Sequence, residues 1–192
     1  MTNITIIGTG NMGNAIAGIA TRGGHNVEFI GHDDTDKQVT GDVVVLAVPY
    51  PALAEIAQTR GEQLAGKVVV DITNPLNFET FDSLVVPADG SAAAELAAQL
   101  PQSKVLKAFN TNFAATLAGG AVGESETTTV LIAGDDPAAK NALAEVVVSG
   151  GVKAIDAGSL RRARELESLG FLQLTLAAGE KLPWTGGFAV VA

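Results

Sequence analysis

No cysteine occurs in the 192 residues, which removes disulfides, thiolate metal sites and thiol nucleophiles together. Histidine is nearly as scarce: His25 and His32 are the only two, too few to build a metal centre, and none is expected. Positive charge is also short. Lys and Arg total 12 against 21 Asp and Glu, and the net charge of −9 offers neither nucleic acid nor an anionic membrane a surface to hold. No apolar run approaches a membrane span, and the sequence enters its first strand without the basic stretch and apolar core of an export signal. A cytoplasmic protein is the expectation. Charged residues make up 17% and apolar residues 47%, so one sizeable core is affordable in area, and residues 1–192 read as a single domain.

What is plentiful is glycine, and its most informative use is Gly8-Thr9-Gly10-Asn11-Met12-Gly13. Before it, Ile4, Ile6 and Ile7 form a short β-branched run suited to a buried parallel strand. After it, Met12, Ala15, Ile16, Ile19 and Ala20 recur on one helical face. A G-x-G-x-x-G between strand and helix is a dinucleotide-binding turn. Gly8 makes the bend, Gly10 admits the pyrophosphate to bare backbone, and Gly13 lets helix and strand pack closely.

Further strands are expected over 26–30, 43–48, 67–72, 105–109, 127–133 and 152–155. Helices are expected over 52–64, 91–100, 138–148 and 160–178, the last with Leu166, Leu169, Leu172 and Leu176 inward. Residues 76–90 lack a period and read as an irregular excursion. Alternating strands and helices predict an α/β Rossmann-type, doubly wound, mostly parallel sheet. Asp33 to Asp42 is too short for the usual second helix and third strand, so the sheet is trimmed at the edge after the second strand.

Ligands in such folds lie across the carboxyl ends of the strands. Val48-Pro49, Asn74-Pro75, Asn110-Thr111-Asn112 and Gly158-Ser159 all fall at such ends, making Asn74, Asn110 and Ser159 candidates for positioning a substrate. Asparagine and proline also end strands for reasons of turn chemistry alone, and both readings of Asn74 and Asn110 stay open. His32 lies on the adenosine side, and His25 reads as structural. Arg161 and Arg164 are expected to pair with Glu165 and Glu167 on a solvated face. Trp184 suits core or lid packing. No Lys–Glu, His–Asp or Ser–Lys pair stands out at the remaining strand ends. Ketone reduction needs a proton donor, whereas hydride transfer to a flavin-like ring needs mainly alignment.

These residues resemble the NADP-dependent oxidoreductases that use the deazaflavin coenzyme F-420, and the related cytosolic domains of ferric and cupric reductases. The likeness runs through the glycine-rich turn, Val48-Pro49, Lys107-Ala108-Phe109-Asn110-Thr111, Ala133-Gly134-Asp135-Asp136, and Asp156-Ala157-Gly158-Ser159-Leu160 with Ala163-Arg164-Glu165-Leu166-Glu167. It implies that Thr9 to Met12 and Val48-Pro49 contact the dinucleotide and that Asn110 lies near the nicotinamide. It also implies NADP, with a deazaflavin or flavin as second substrate. One departure bears on the cofactor: His32-Asp33 stands where the family places a Ser-Arg pair for the 2′-phosphate. An acid 20 residues beyond Gly13 suits the ribose hydroxyls of NAD, which is the alternative.

The expectation is therefore an oxidoreductase moving hydride between NAD(P)H and a small-molecule ring acceptor. The alternatives are a redox-sensing module without turnover and a small imine or carbonyl reductase. The apolar tail Phe188-Ala189-Val190-Val191-Ala192 and the dimeric habit of the resembling family both point to a homodimer.

Overall fold

The computed structural model describes residues 1–123 and 125–191. In chain order its elements are β1 (Asn3–Ile7), α1 (Asn11–Arg22), β2 (Asn26–Ile30), β3 (Val43–Leu46), α2 (Ala52–Leu64), β4 (Val68–Asp71), α3 (Ala92–Gln99), β5 (Lys104–Lys107), α4 (Ala114–Gly119), β6 (Ala121–Val122), β7 (Glu126–Thr127), β8 (Thr129–Gly134), α5 (Pro137–Ser149), β9 (Lys153–Gly158) and α6 (Ala163–Ala178). The main sheet has the order β2-β1-β3-β4-β5-β8-β9. The first five strands in that order are parallel, while β8 runs antiparallel to β5 and β9 parallel to β8.

Because successive side chains leave a strand on opposite faces, Val43 and Val45 pack with α1 and α5 while Val44 and Leu46 pack with α2 and α3. Three layers result, and the central strands are apolar on both sides, as parallel strands require. Asp136 caps α5 by accepting from the Ala139 N–H, with Pro137 at its first position. β2 is an edge strand, as the short segment after it requires. Its outward Phe29 carbonyl is capped by the Lys37 ammonium. His25 is structural, accepting from the Thr2 N–H and lying 3.0 Å from the Ser149 hydroxyl.

Four details differ from the sequence reading. The run 127–133 is divided: Glu126–Thr127 pairs with Ala121–Val122 in a small hairpin, and only Thr129–Gly134 joins the main sheet. The last helix starts as a 3-10 turn, Leu160–Arg162. Its buried face is Ala163, Leu166, Glu167, Gly170, Gln173 and Ala177, while Leu172 is 48% exposed. Beside Leu166, small and polar residues face inward because α6 crosses the polar ends of β4 and β5, where Gly170 meets Asn74 and Gln173 donates to the Thr111 carbonyl. Finally, Glu165 pairs with Arg162 and Arg164, and Glu167 turns inward.

Candidate functional site

The three glycines have distinct surroundings. Gly8 has φ +114°, and a Cβ there would lie 2.1 Å from the Ala47 carbonyl oxygen, so β1 and β3 could not close around any other residue. A Cβ on Gly13 would lie 2.5 Å from the Gly8 carbonyl oxygen. Around Gly10 a Cβ would meet nothing within 4 Å. Gly10 is also the N-cap of α1 and supplies no side-chain cap, which leaves the first N–H groups of the helix for an anion. Asn14 braces the turn by donating to the Thr9 and Gly10 carbonyls.

A cavity opens on each side of this turn. The larger, about 820 Å³, is lined by Gly8, Thr9, Gly10, His32, Asp33, Val48 and Pro49, with α2 as its far wall. The smaller, about 390 Å³, is lined by Asn11, Met12, Asn74, Asn110, Asn112 and Trp184. Gly13 lies buried beneath the turn. The sequence-predicted residues are thus brought together in two halves, with one exception. β9 runs antiparallel to the first five strands, so Ser159 falls at the opposite edge of the sheet and is no positioning candidate. The motif spacing carried no strand direction, and Ser159 was assigned to the wrong edge for that reason.

Asn74 and Asn110 form a reciprocal pair. Asn110 Nδ2 donates to Asn74 Oδ1 at 2.9 Å and to the Leu166 carbonyl at 2.8 Å, while Asn74 Nδ2 donates to the Asn110 carbonyl at 2.8 Å. Gly170 of α6 allows the approach, since a Cβ there would lie 2.3 Å from Asn74 Oδ1. Phe109, buried and with φ +63°, makes the bend that delivers Asn110. A bulky residue in that region costs about 1–3 kcal/mol, strain of the kind that gathers where geometry is held for a purpose. The amide oxygens of Asn110 and Asn112 are buried without a partner among the described residues. Trp184 leans on Phe113 with ring centroids 4.8 Å apart and lines the same cavity.

Beneath this lies a cluster that the sequence reading missed. Asp71 and Lys107 are register partners on β4 and β5, on the same face as Val69 and Val105. The Lys107 ammonium, fully buried, lies 2.8 Å from Asp71 and 2.8 Å from Glu167. It also donates to the Thr73 carbonyl at 2.6 Å, and Asp71 accepts from the Thr73 N–H, so the loop leading into Asn74 is tied at both ends. Glu167 accepts from the Ala92 and Ala93 N–H groups at the start of α3. Burial pushes the Glu167 carboxyl above its usual range, against the opposing pull of Lys107. The signal was present as single charges in otherwise apolar strands, but only register and the return of α6 pair them.

Tyr50, next to Pro49 and the only tyrosine, donates to Glu95 at 2.7 Å. Burial first, then that carboxylate, raises its pKa to about 12. Because the folded value lies above the unfolded one, its contribution to stability is complete below the unfolded pKa, near 10, and is lost as pH rises through the folded value. Absorbance at 295 nm is expected to show almost no tyrosinate in the native protein at pH 10.5 and about three-quarters ionisation after denaturation. Native ionisation at that pH would contradict the Tyr50–Glu95 bond.

Fold and site together define the class: a Rossmann-type, dinucleotide-binding oxidoreductase. A family model described as NADP oxidoreductase, coenzyme F420-dependent, matches residues 32–75. The F420-dependent NADP reductase of Methanocaldococcus jannaschii is 32% identical over 167 residues, spanning 85% of this chain and 74% of that protein. Metalloreductase STEAP3 of Rattus norvegicus is 37% identical over 128 residues, 66% of this chain but 24% of that protein. A solved structure from Arthrobacter sp. FB24, a candidate F420-dependent NADP reductase, matches the whole of both chains with a TM-score of 0.84 at 25% identity. The chain belongs to the F420-dependent NADP reductase family.

Proposed function

We propose that this protein transfers hydride between NADP(H) and the ring of a deazaflavin, or of a flavin-like acceptor, with NADP rather than NAD as the dinucleotide. The observation that carries this reading is the chemistry of the smaller cavity. Its lining among the described residues contains asparagine amides and apolar or aromatic side chains but no acid, base or cation able to deliver a proton. Such a wall aligns two flat rings and excludes water, which suffices when hydride leaves the dihydronicotinamide for a ring carbon. Imine or ketone reduction would call for a donor at the receiving atom. The pyrophosphate lies on Gly10 and the N-terminus of α1, with adenosine toward His32, Asp33 and Val48-Pro49. The nicotinamide reaches past Asn11 and Met12 into the cavity lined by Asn74, Asn110 and Asn112.

Anaerobic stopped-flow mixing of NADPH-loaded protein with deazaflavin, FMN, FAD, ferric chelates and cyclic imines tests this. Oxidation by the ring acceptors is expected. Oxidation by the imines alone would overturn the reading, and oxidation by none would favour a sensing module.

The same reading includes a homodimer in the cytoplasm. Leu172 on the outer face of α6, together with Trp184, Phe188 and Val191 of the tail, leaves large apolar side chains exposed on one monomer. Ala192, the last residue of the tail, lies outside the described residues. Sedimentation at micromolar concentration is expected to give the dimer mass, and Leu172→Glu to shift it toward monomer. A wild-type monomer at that concentration would count against the assembly.

A further inference from the structure

We propose that Arg60, on α2, is the residue that receives the adenosine 2′-phosphate and so selects NADP(H) over NAD(H); this rests on the proposed use of NADP. The loop after β2, where a phosphate-binding cation would ordinarily stand, has little to offer. Lys37 is turned away to the Phe29 carbonyl at the sheet edge. Asp34 folds back to accept from the Gly31 N–H at 2.8 Å. What remains toward the cavity from that loop is His32, Asp33 and Thr35.

Arg60 is the one lysine or arginine among the described residues lining this cavity, and it enters from the opposite wall. Its Nη1 donates to the Lys37 carbonyl at 2.7 Å, and its Nη2 to the Asp34 carbonyl at 2.7 Å and the Thr35 carbonyl at 3.4 Å. These acceptors are neutral. No carboxylate among the described residues forms an ion pair with it, so its positive charge is left uncompensated. A guanidinium fork also has more N–H groups than those carbonyls use, in a geometry that matches phosphate oxygens.

The shortened loop is thus wrapped over Arg60, which fixes the guanidinium beside the ribose end of the cavity. Two carboxylates, Asp33 and Glu55, line the same space. A phosphate dianion entering between them is repelled unless a cation faces it. His32 and Thr35 add donors, but Arg60 alone brings a permanent charge. The segment that is missing after β2 is therefore replaced in function by a residue on α2, some thirty positions further along the chain.

Calorimetric titration of the full chain with 2′,5′-ADP and with 5′-AMP separates the possibilities, since the two probes differ only by the 2′-phosphate. Wild type is expected to prefer 2′,5′-ADP by about tenfold or more, the scale of one charge-assisted fork. Arg60→Gln, which keeps an amide donor for the loop carbonyls, should lose about tenfold for 2′,5′-ADP and less than about threefold for AMP. Arg60→Lys should retain part of the preference. Equal losses for both probes would reduce Arg60 to a loop clamp and overturn the proposal, as would no loss at all. A wild type without preference would instead bring down the NADP reading, and this inference with it. Should Arg60→Gln fail to fold, phenylglyoxal labelling of the wild type read by mass spectrometry serves: 2′,5′-ADP should protect Arg60 and AMP should not, and equal protection would overturn the assignment.

Discussion

Gly10→Val is expected to yield a folded protein that no longer retains a dinucleotide. The two neighbouring glycines of the motif cannot give so clean a result. A side chain at Gly8 or Gly13 collides with backbone carbonyls of the protein itself, at 2.1 Å and 2.5 Å. At Gly10 the backbone has an ordinary φ of −75° and the space around a Cβ is open. The fold therefore loses only what valine costs at a helix N-cap, about 1 kcal/mol. The ligand loses far more, because the isopropyl group occupies the volume above the helix N-terminus where the phosphates approach bare N–H groups. An affinity loss of about a hundredfold or more corresponds to roughly 3 kcal/mol. Calorimetry with NADPH on a variant whose circular dichroism and melting are near wild type decides it. Retained affinity would mean that the phosphates do not cross the turn at Gly10.

Lys107→Met is expected to have the largest effect on stability of any single substitution outside the apolar core. The side chain is fully buried, and it is the cation that two buried carboxylates share, 2.8 Å away on either side. Methionine fills a similar volume but leaves Asp71 and Glu167 facing each other without it. Breaking a buried pair in this way costs about 3–5 kcal/mol. The loss should depend on pH with a defined sign. Glu167 is already raised by burial, and Lys107 is what opposes the rise. Without the lysine the folded-state pKa moves further up, so the variant is most stable below the unfolded value, near 4.3. Its stability then declines as pH rises through the folded one. Urea unfolding at pH 5 and pH 8 measures this. A loss below about 1 kcal/mol at pH 8 would show that the cluster is solvated in solution and does not hold the Thr73–Asn74 loop.

The two halves of the molecule differed in how much their sequence disclosed. The Gly8–Gly13 turn, the strand at 26–30, the helix at 52–64 and the deletion after β2 were legible because each depends on local spacing. Glycine positions, period and chain length suffice for them. The partnership of Asn74 with Asn110 was visible only as two strand ends. Their mutual hydrogen bonds need the strained Phe109 bend and the absent side chain of Gly170, neither of which has a local signature. The Asp71–Lys107–Glu167 cluster depends on residues far apart in the chain meeting through register and a helix that crosses the sheet. The leucines of the last helix misled for the opposite reason. Leu166 is buried as their spacing predicts, but Leu172 faces out, because Gly170 and Gln173 take the side that meets the polar strand ends. Ser159 was misplaced because a motif does not say which way its strand runs.

Trimming the sheet after β2 leaves a strand whose outer carbonyls and amides have no neighbouring strand, an invitation to continue pairing with another molecule. Lys37 closes it by holding the Phe29 carbonyl with a charged, well-hydrated ammonium. The far edge is discouraged too, since β9 has Lys153 and Asp156 along it, and its register with β8 is broken at Ile132 and Ala133. Growth of the sheet from one molecule into the next is thus discouraged at both ends. The shortened segment after β2 thus carries its own guard against edge-to-edge pairing.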